Sequence, residues 1–289
     1  MHSSLSIAAE LMPERIRRLL ERVDVREAVK AEEIRLRTGL SASLLLPSGE
    51  KSLGGEAISM AEIAYVLDRA SRSSLHSVRH ELCQGYLTAR GGIRIGICGT
   101  SAGGMGEGIR DCSSLALRLP HEVKEAGAQV ISAVKPFEGS VLIISPPGGG
   151  KTTLLRNLIR CASESGKRVA VCDERGEIAA MWQGRAGFEL GPHTDVLSGF
   201  GKAEGIMMLL RAMNPQIIAL DEISASVDCE ALERCACCGA EVFATAHASS
   251  VEDMQRRPHY RRIIEMGIFQ KAIIIKRGER REYKLVELW

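Results

Sequence analysis

Aromatic side chains are scarce in this chain: Phe, Trp and Tyr together make up 4% of its 289 residues. Hydrophobic residues nevertheless reach 45%, so we expect cores that are built mainly from aliphatic side chains. The shortage of rings disfavours a platform for single-stranded nucleic acid, because such surfaces depend on bases stacking on aromatic side chains.

A strong excess of one charge is also missing. The formal net charge is only +2, which gives no case for nucleic-acid binding from overall charge. No apolar run approaches the ~18 residues that a membrane-spanning helix needs. The N-terminus lacks a basic region followed by a long apolar core, so we expect no signal peptide.

Cysteine, by contrast, is abundant, with nine residues at irregular spacing. The cluster Cys235-Ala-Cys237-Cys238 invites a metal-site interpretation. It falls in a predicted helix, however, and no second paired motif accompanies it, so we expect reduced thiols in a cytoplasmic protein. Cys98, Cys161 and Cys172 lie in apolar runs and are predicted to be small core residues.

The most informative stretch runs from Ser145 to Thr153. An apolar strand precedes it and a helix follows, so backbone N–H groups and the helix dipole create an anion site. It matches the Walker A pattern G-x-x-x-x-G-K-[ST], except that Ser145 replaces the first glycine. The alternative is a flexible glycine loop beside a chance Lys-Thr pair. The predicted nucleotide contacts are Ser145, Pro146, Pro147, Gly148, Gly149, Gly150, Lys151, Thr152 and Thr153.

Lys151 is predicted to reach the β- and γ-phosphates of ATP, and Thr152 to hold Mg²⁺. A second acidic motif, Asp221-Glu222, ends an apolar strand, where binding sites of open α/β sheets lie. Asp221 would bind Mg²⁺ through water, and Glu222 would orient or activate the attacking water. The alternative is an acidic pair that caps the next helix.

Two further strand ends carry polar side chains. Asp173 and Glu174 should face the same sheet edge and could bind metal or polarise water; the alternative is a salt-bridged loop start. His247 follows another strand and could sense the γ-phosphate, although a lone histidine is usually structural.

Arginines outside the loop could stabilise the transition state from a neighbouring subunit. The candidates are Arg90, Arg94 and Arg211, and the sequence does not choose among them. The pairs Arg256-Arg257 and Arg261-Arg262 are expected to be solvated helix faces or subunit contacts.

The predicted fold class is α/β, with a P-loop NTPase domain at 137–289, a linker at 121–136 and a smaller N-terminal α+β domain at 1–120. In the P-loop domain, strands and helices alternate, which implies a RecA- or AAA-like parallel sheet covered by helices. The predicted strands are 141–144, 168–172, 216–220 and 241–245, the helices 151–164, 202–213, 225–238 and 250–265, and the closing hairpin 271–276 and 283–288.

The N-terminal part is predicted to contain a helix at 13–23, strands at 33–37, 42–46 and 114–119, and a hairpin within 85–99. Ser59 and Glu62 have capping-box spacing, which predicts a helix start. Residues 99–108 are glycine-rich and predicted to form a mobile loop.

The order of these motifs resembles a family of P-loop ATPases from endospore-forming bacteria, the stage III sporulation AA proteins. The matching residues span most of the chain: Glu33–Arg37, Gly85–Thr88, Gly91–Gly99, the loop 145–153, Asp173–Arg175 with Glu177-Ile178, Thr194–Leu197, Met213–Pro215, Asp221–Ile223 and Ala244–Ala248. Ser145 and Ser224 stand where the family usually has glycine.

That family is similar to secretion and type IV pilus ATPases. The resemblance implies an ATP- and Mg²⁺-dependent ring, of hexameric form, on the cytoplasmic side of the mother cell. It would associate peripherally with membrane proteins of a channel complex between mother cell and forespore. It implies Lys151 and Thr152 at the nucleotide, Asp221 and Glu222 in the second acidic motif, Asp173 and Glu174 in an acidic box, and His247 in a histidine box. A nucleic-acid-stimulated ATPase and an ATP-gated scaffold with little turnover are the alternatives.

Overall fold

The computed structural model of the protein describes residues 4–71, 82–83, 85–101, 103, 109–120, 123, 125–223, 226–276 and 281–288. The chain forms two units, one comprising Met1–His121 with Ala180–Gly187 and the other Glu122–Ala179 with Phe188–Trp289. No feature of the sequence predicts that residues 180–187 belong to the first unit. The predicted domain division at 120 and 137 stays a prediction.

The first unit combines short helices with an antiparallel sheet. Its elements are helices α1 (Ser4–Ala9), α2 (Glu14–Glu21), α3 (Val25–Lys30) and α4 (Met60–Ser71), and strands β1 (Glu33–Arg37), β2 (Ser43–Leu46), β3 (Gly49–Ser52), β4 (Tyr86–Ala89), β5 (Ile93–Ser101) and β6 (Ile109–Arg118), with a 3-10 turn at Arg90–Gly92 between β4 and β5. In the described residues the strands follow the order β3-β2-β1-β6-β5-β4.

Alternating burial explains this sheet. In β1 the buried residues are Ile34 and Leu36, while the residues between them are only half-buried, as expected for a strand with one face on a core. The predicted pairing of β1 with β2 is confirmed, with Ile34 opposite Leu44. The predicted hairpin within 85–99 is confirmed as the antiparallel pair β4–β5. The alternation also leaves Cys98 exposed, so its predicted place in the core was wrong: it follows buried Ile97 and points to the other face.

The second unit has a largely parallel sheet. Its strands are β7 (Ser140–Ile144), β8 (Val169–Asp173), β9 (Thr194–Ser198), β10 (Ile217–Leu220), β11 (Glu241–Ala246), β12 (Phe269–Lys276) and β13 (Glu282–Glu287). In the described residues these strands follow the order β13-β12-β7-β11-β10-β8-β9. Its helices are α5 (Ala128–Val134), α6 (Lys151–Glu164), α7 (Lys202–Met213), α8 (Ser226–Cys237), α9 (Val251–Arg256) and α10 (Pro258–Glu265). The predicted α/β class with a parallel sheet is confirmed.

The parallel register brings the predicted site to one edge. Strands β7, β11, β10 and β8 are neighbours in that order, and all are buried along their length apart from half-buried Glu241. Leu220 lies opposite both Ala244 and Cys172, and Ala246 lies opposite Ile144. The carboxyl ends of these four strands therefore deliver their following residues to the same edge of the sheet.

Several elements differ from the sequence prediction. Strand β9 was not predicted, although it pairs in parallel with β8 over five residues. The helix predicted at 250–265 is two helices, because Pro258 occupies the first turn of α10 and extended Arg257 precedes it; proline removes an N–H donor and disfavours helical geometry in the residue before it. Helix α5, with Val130, Ile131 and Val134 buried, lies within the range predicted as a linker.

Some predictions fall outside the described residues. They are the turn at Arg277-Gly278, the departure at Ser224, and most of the predicted loop 99–108, of which 99–101 belong to β5. Among the described residues, no helix is long and apolar enough to cross a membrane.

Candidate active site

The loop between β7 and α6 has a backbone that only glycine can easily supply. Gly148 and Gly150 adopt positive φ angles of 72° and 92°, in the left-handed region that other residues avoid. A β-carbon on Gly149 would lie 1.7 Å from Ser145 Oγ. Ser145 itself is fully buried and is not among the residues with positive φ. A serine therefore fits where the Walker A pattern has its first glycine.

Lys151 is the first residue of α6, and its side chain is buried inside this loop. Its Nζ donates hydrogen bonds to the carbonyl oxygens of Ser145 at 3.1 Å and Pro146 at 3.4 Å. Burial lowers the pKa of the Lys151 ammonium, while the carboxylates of Asp221 and Glu222 partly offset that effect. The charge is thus held where backbone carbonyls, rather than water, surround it.

Thr152 and Asp221 meet directly. Thr152 Oγ1 donates a hydrogen bond of 2.7 Å to Asp221 Oδ2. The other carboxylate oxygen of Asp221 accepts hydrogen bonds from the Thr245 hydroxyl and from the Glu222 backbone N–H. The carboxylate is therefore fixed next to the glycine loop, at the end of the strand adjacent to β11.

Thr245 was not predicted as a site residue in its own right. It is fully buried at the end of β11, and its hydroxyl also accepts a hydrogen bond of 2.9 Å from the backbone N–H of Glu222. The available signal was a polar residue within the apolar stretch 242–246, two positions before His247. Its role is to orient the acidic motif on the neighbouring strand.

Glu222 is held by two basic side chains. Arg175 Nη1 donates a 2.9 Å hydrogen bond to Glu222 Oε2, and His247 Nε2 lies 3.6 Å from Glu222 Oε1. The backbone of Glu222 has a φ of 49°, which is unusual for a residue other than glycine and typical of functional sites. No role was predicted for Arg175, because nothing in the sequence shows which carboxylate that arginine would contact.

Asp173 lies at the same sheet edge but is engaged by its own loop. Its two carboxylate oxygens accept backbone hydrogen bonds from Ile178 at 3.1 Å and from Ala179 at 2.8 Å. Burial raises the pKa of Asp173, although those N–H groups counteract the effect. Glu174 accepts a 2.8 Å hydrogen bond from Lys202. Metal binding by Asp173 and catalysis by Glu174 stay predictions.

His247 connects the acidic motif to the glycine loop. Its Nδ1 lies 3.0 Å from Lys151 Nζ, on the opposite side of the ring from Glu222. Its backbone is held by α10 and by the residue that precedes α10: the N–H donates to Tyr260 Oη at 3.2 Å, and the carbonyl accepts from Arg257 at 3.0 Å. Arg257, expected to be solvated or in a subunit contact, thus also supports the site.

Four of the predicted site residues line one small cleft: Asp173, Glu174, Asp221 and Glu222. Arg175, Glu177 and Lys202 complete its lining. In the described part of the chain, no group of three or more His, Cys, Asp or Glu side chains is arranged to hold a metal ion. Protein carboxylates alone therefore do not build a metal cage among those residues.

The three arginines predicted as candidates for action from a neighbouring subunit do not line this cleft. Arg90 forms a 2.8 Å ion pair with Glu10, Arg94 lies 4.0 Å from the centre of the Tyr86 ring, and Arg211 lies in α7. The choice among them stays open.

The cysteine cluster lies at the end of α8, where burial raises the pKa of Cys235 to about 12 while Cys237 and Cys238 are exposed.

Comparison with solved structures shows the fold. The ATPase DotB from Legionella pneumophila is 20% identical, with a TM-score of 0.63 over 95% of this chain and 80% of that one. The pilus retraction motor PilT, solved with bound ADP, is 17% identical, with a TM-score of 0.64 over 95% of this chain and 82% of that one. The protein therefore has the same fold as the ATPase DotB and the pilus retraction motor PilT.

Comparison of sequences shows the family. Stage III sporulation protein AA of Bacillus subtilis (strain 168) is 32% identical over 282 residues, which cover 94% of this chain and 91% of the relative. The family described as sporulation stage III, protein AA, matches residues 6–284. The chain belongs to that family of sporulation proteins.

Proposed function

We propose that this protein is a Mg²⁺-dependent ATPase that binds ATP at residues 145–153. The observation that carries the proposal is the hydrogen bond between Thr152 and Asp221. It joins the glycine loop to the second acidic motif, two parts of the chain that are 69 positions apart. P-loop NTPases hold Mg²⁺ with such a pair.

The loop supports phosphate binding by its backbone and by Lys151. Helix α6 begins at Lys151, so its free N–H groups and its positive dipole end face the loop. The carbonyl partners of Lys151 are all within the loop or just before it. Phosphate oxygens would replace them as partners of the ammonium group.

The donor set fits Mg²⁺. A threonine hydroxyl and an aspartate carboxylate are hard oxygen donors, and Mg²⁺ sites for nucleotides use one or two carboxylates together with the phosphates. Thr152 and Asp221 would hold the ion, with Asp173 as a further candidate. When bound, Mg²⁺ neutralises charge on the phosphates.

Glu222 is the proposed residue that orients and activates the attacking water. Its carboxylate must exchange the hydrogen bond from Arg175 for one to water before it can do so. His247 lies between Glu222 and Lys151, a position from which it can sense whether phosphate occupies the loop. Glu174 is proposed as an auxiliary catalytic carboxylate from the adjacent strand end.

At the level of the cell, we propose an assembly motor. Hydrolysis would drive a homo-oligomeric ring, of hexameric form, on the cytoplasmic face of the mother-cell membrane. The ring would energise the channel complex between mother cell and forespore through membrane proteins that bind it. The family membership and the fold shared with the ATPase DotB and the pilus retraction motor PilT support this role.

One observation favours a second candidate, an ATP-gated scaffold with little turnover. Glu222 is paired with Arg175 and has a left-handed backbone. If that arrangement persists with ATP bound, the protein would bind nucleotide and change shape without hydrolysis. The two candidates differ in turnover and share the binding site.

The test is nucleotide binding and hydrolysis by the wild type and Lys151→Ala, with Mg²⁺ present. We expect Lys151→Ala to bind ATP about a hundredfold more weakly, because charge-assisted hydrogen bonds to the phosphates are lost. Lys167→Ala, which removes the same charge beyond the far end of α6, should behave as wild type. ATP binding that is equal in all three proteins would contradict the proposed site.

A further inference from the structure

One arginine lies against the glycine loop without belonging to any of the motifs. Arg281 immediately precedes β13, and its guanidinium packs against Gly150. A β-carbon built on Gly150 would lie 2.9 Å from Nη1 and 3.0 Å from Cζ of Arg281. The space that a side chain would fill at Gly150 is therefore occupied by a cation.

The position is electrostatically unfavourable for a cation in the absence of an anion. Gly150 is the residue directly before α6, so Arg281 sits at the positive end of that helix dipole, next to Lys151. Burial already lowers the pKa of the Lys151 ammonium. The carboxylates of Asp221 and Glu222 partly offset that effect at Lys151, and an anion bound at the helix N-terminus would also relieve the repulsion between Lys151 and Arg281.

Other arginines around the site have such partners within the chain. Arg175 is paired with Glu222 and Arg257 with Asp253. Arg281 is exposed, and its guanidinium forms no hydrogen bond or ion pair with any residue that the structure describes. The five N–H donors of its guanidinium are thus available to a ligand that binds beside Gly150.

We propose that Arg281 is a second cationic contact for the phosphates of a nucleoside di- or triphosphate, in the same chain as Lys151. The inference rests on the proposed nucleotide site and adds a residue to it. Lys151 reaches the phosphates from inside the loop, whereas Arg281 approaches from the side of Gly150. The planar fork of arginine suits two oxygens of one phosphate group.

The test measures dissociation constants for ATP and ADP by calorimetry, with Mg²⁺, in the full-length protein. Arg281→Ala should bind both nucleotides about tenfold or more weakly, as the loss of a charge-assisted contact implies. Arg281→Gln, which keeps most of the side-chain length, should show a similar loss. Lys284→Ala, which removes a charge from exposed Lys284 on β13, is the matched control and should match the wild type.

The outcomes separate this inference from the proposed function. If the wild type binds ATP and both Arg281 variants bind within twofold of it, Arg281 is not a phosphate contact, while the nucleotide site stands. A change in turnover alone, with unchanged dissociation constants, also overturns the inference. If the wild type binds neither nucleotide, the proposed function itself fails. Thermal unfolding of each variant checks that the exposed substitution leaves the fold intact.

Discussion

At the residue scale, the site depends on how each carboxylate is oriented. Asp221 receives hydrogen bonds from Thr152, Thr245 and the Glu222 backbone, so its position is fixed by three groups. Glu222 is held through its side chain by Arg175 alone at hydrogen-bond distance, in the part of the chain that the structure describes. Asp221 is therefore arranged for binding, and Glu222 is arranged to change partners.

This difference gives a prediction for Glu222→Gln. The variant should bind ATP as the wild type does, because Lys151, Thr152 and Asp221 are unchanged. Its turnover should fall by about 10²–10⁴, the contribution typical of a positioned general base. Binding is measured by calorimetry and turnover by phosphate release.

The control for this variant is Glu230→Gln, an exposed substitution on α8. Equal turnover in the wild type and Glu222→Gln would show that Glu222 does not activate water. Low turnover in both, together with tight binding, would instead support the ATP-gated scaffold.

The sequence could predict which residue types meet at the site, but not their pairing. The motifs place Lys151, Asp173, Asp221 and His247 after strands, and parallel pairing then brings them to one edge. The contact of Arg175 with Glu222 and the packing of Arg281 on Gly150 depend on loop conformation. No periodicity in the sequence encodes a loop conformation, so these contacts required the structure.

At the element scale, helix starts were predictable where local chemistry decides them. The capping box predicted at Ser59 is present: Ser59 N–H donates to Glu62 at 3.0 Å, and Glu62 N–H donates to Ser59 Oγ at 3.2 Å. Arg15 of α2 also donates two hydrogen bonds to Glu62 Oε1, at 3.0 and 2.8 Å. One side chain thus caps α4 and joins it to α2.

We therefore predict that Glu62→Ala lowers the free energy of unfolding of the first unit by about 1 kcal/mol at pH 7. Burial alone would raise the pKa of Glu62, but hydrogen bonds from Ser59 and Arg15 hold it below its ordinary value of 4.5. Because the folded-state pKa is lowered, this stabilisation is present above pH 4.5 and is lost as the pH falls through the folded-state pKa.

Thermal unfolding of the wild type and Glu62→Ala between pH 3 and pH 7 checks this prediction. The difference in melting temperature should be largest near neutral pH and should shrink on acidification. Glu56→Ala, at an exposed position just before α4, serves as the control. A difference that stays constant with pH would rule out the ion pair and the charged cap as its source.

Elements that depend on tertiary context were the ones that the sequence did not predict correctly. Strand β9 is only half-buried or exposed along its length, so its apolar pattern is weak, and pairing with β8 forms it. The segment that leads into helix α5 is held from α6: Asn157 Nδ2 donates hydrogen bonds to the carbonyl oxygens of Val123 at 2.8 Å and Ala126 at 3.1 Å. These hydrogen bonds come from a helix later in the chain, so the sequence of residues 121–136 alone does not reveal them.

At the scale of the whole molecule, the proposed function is that of a motor that acts with partners. The described residues contain no helix that could span a membrane, and the solved structures that share this fold include the ATPase DotB and the pilus retraction motor PilT. A ring in which neighbouring subunits complete each active site would explain why the sequence offers several arginines outside the loop. We predict that turnover depends on assembly.

The most direct measurement is the rate of ATP hydrolysis per subunit against protein concentration, with Mg²⁺, while light scattering reports the mass. The account predicts a rate that requires Mg²⁺, climbs as a ring forms, and is unchanged by single-stranded DNA. The central claim would be contradicted by a protein that hydrolyses no ATP at any concentration. A monomer that is equally active, or activity that appears only with DNA, would contradict the assembly motor.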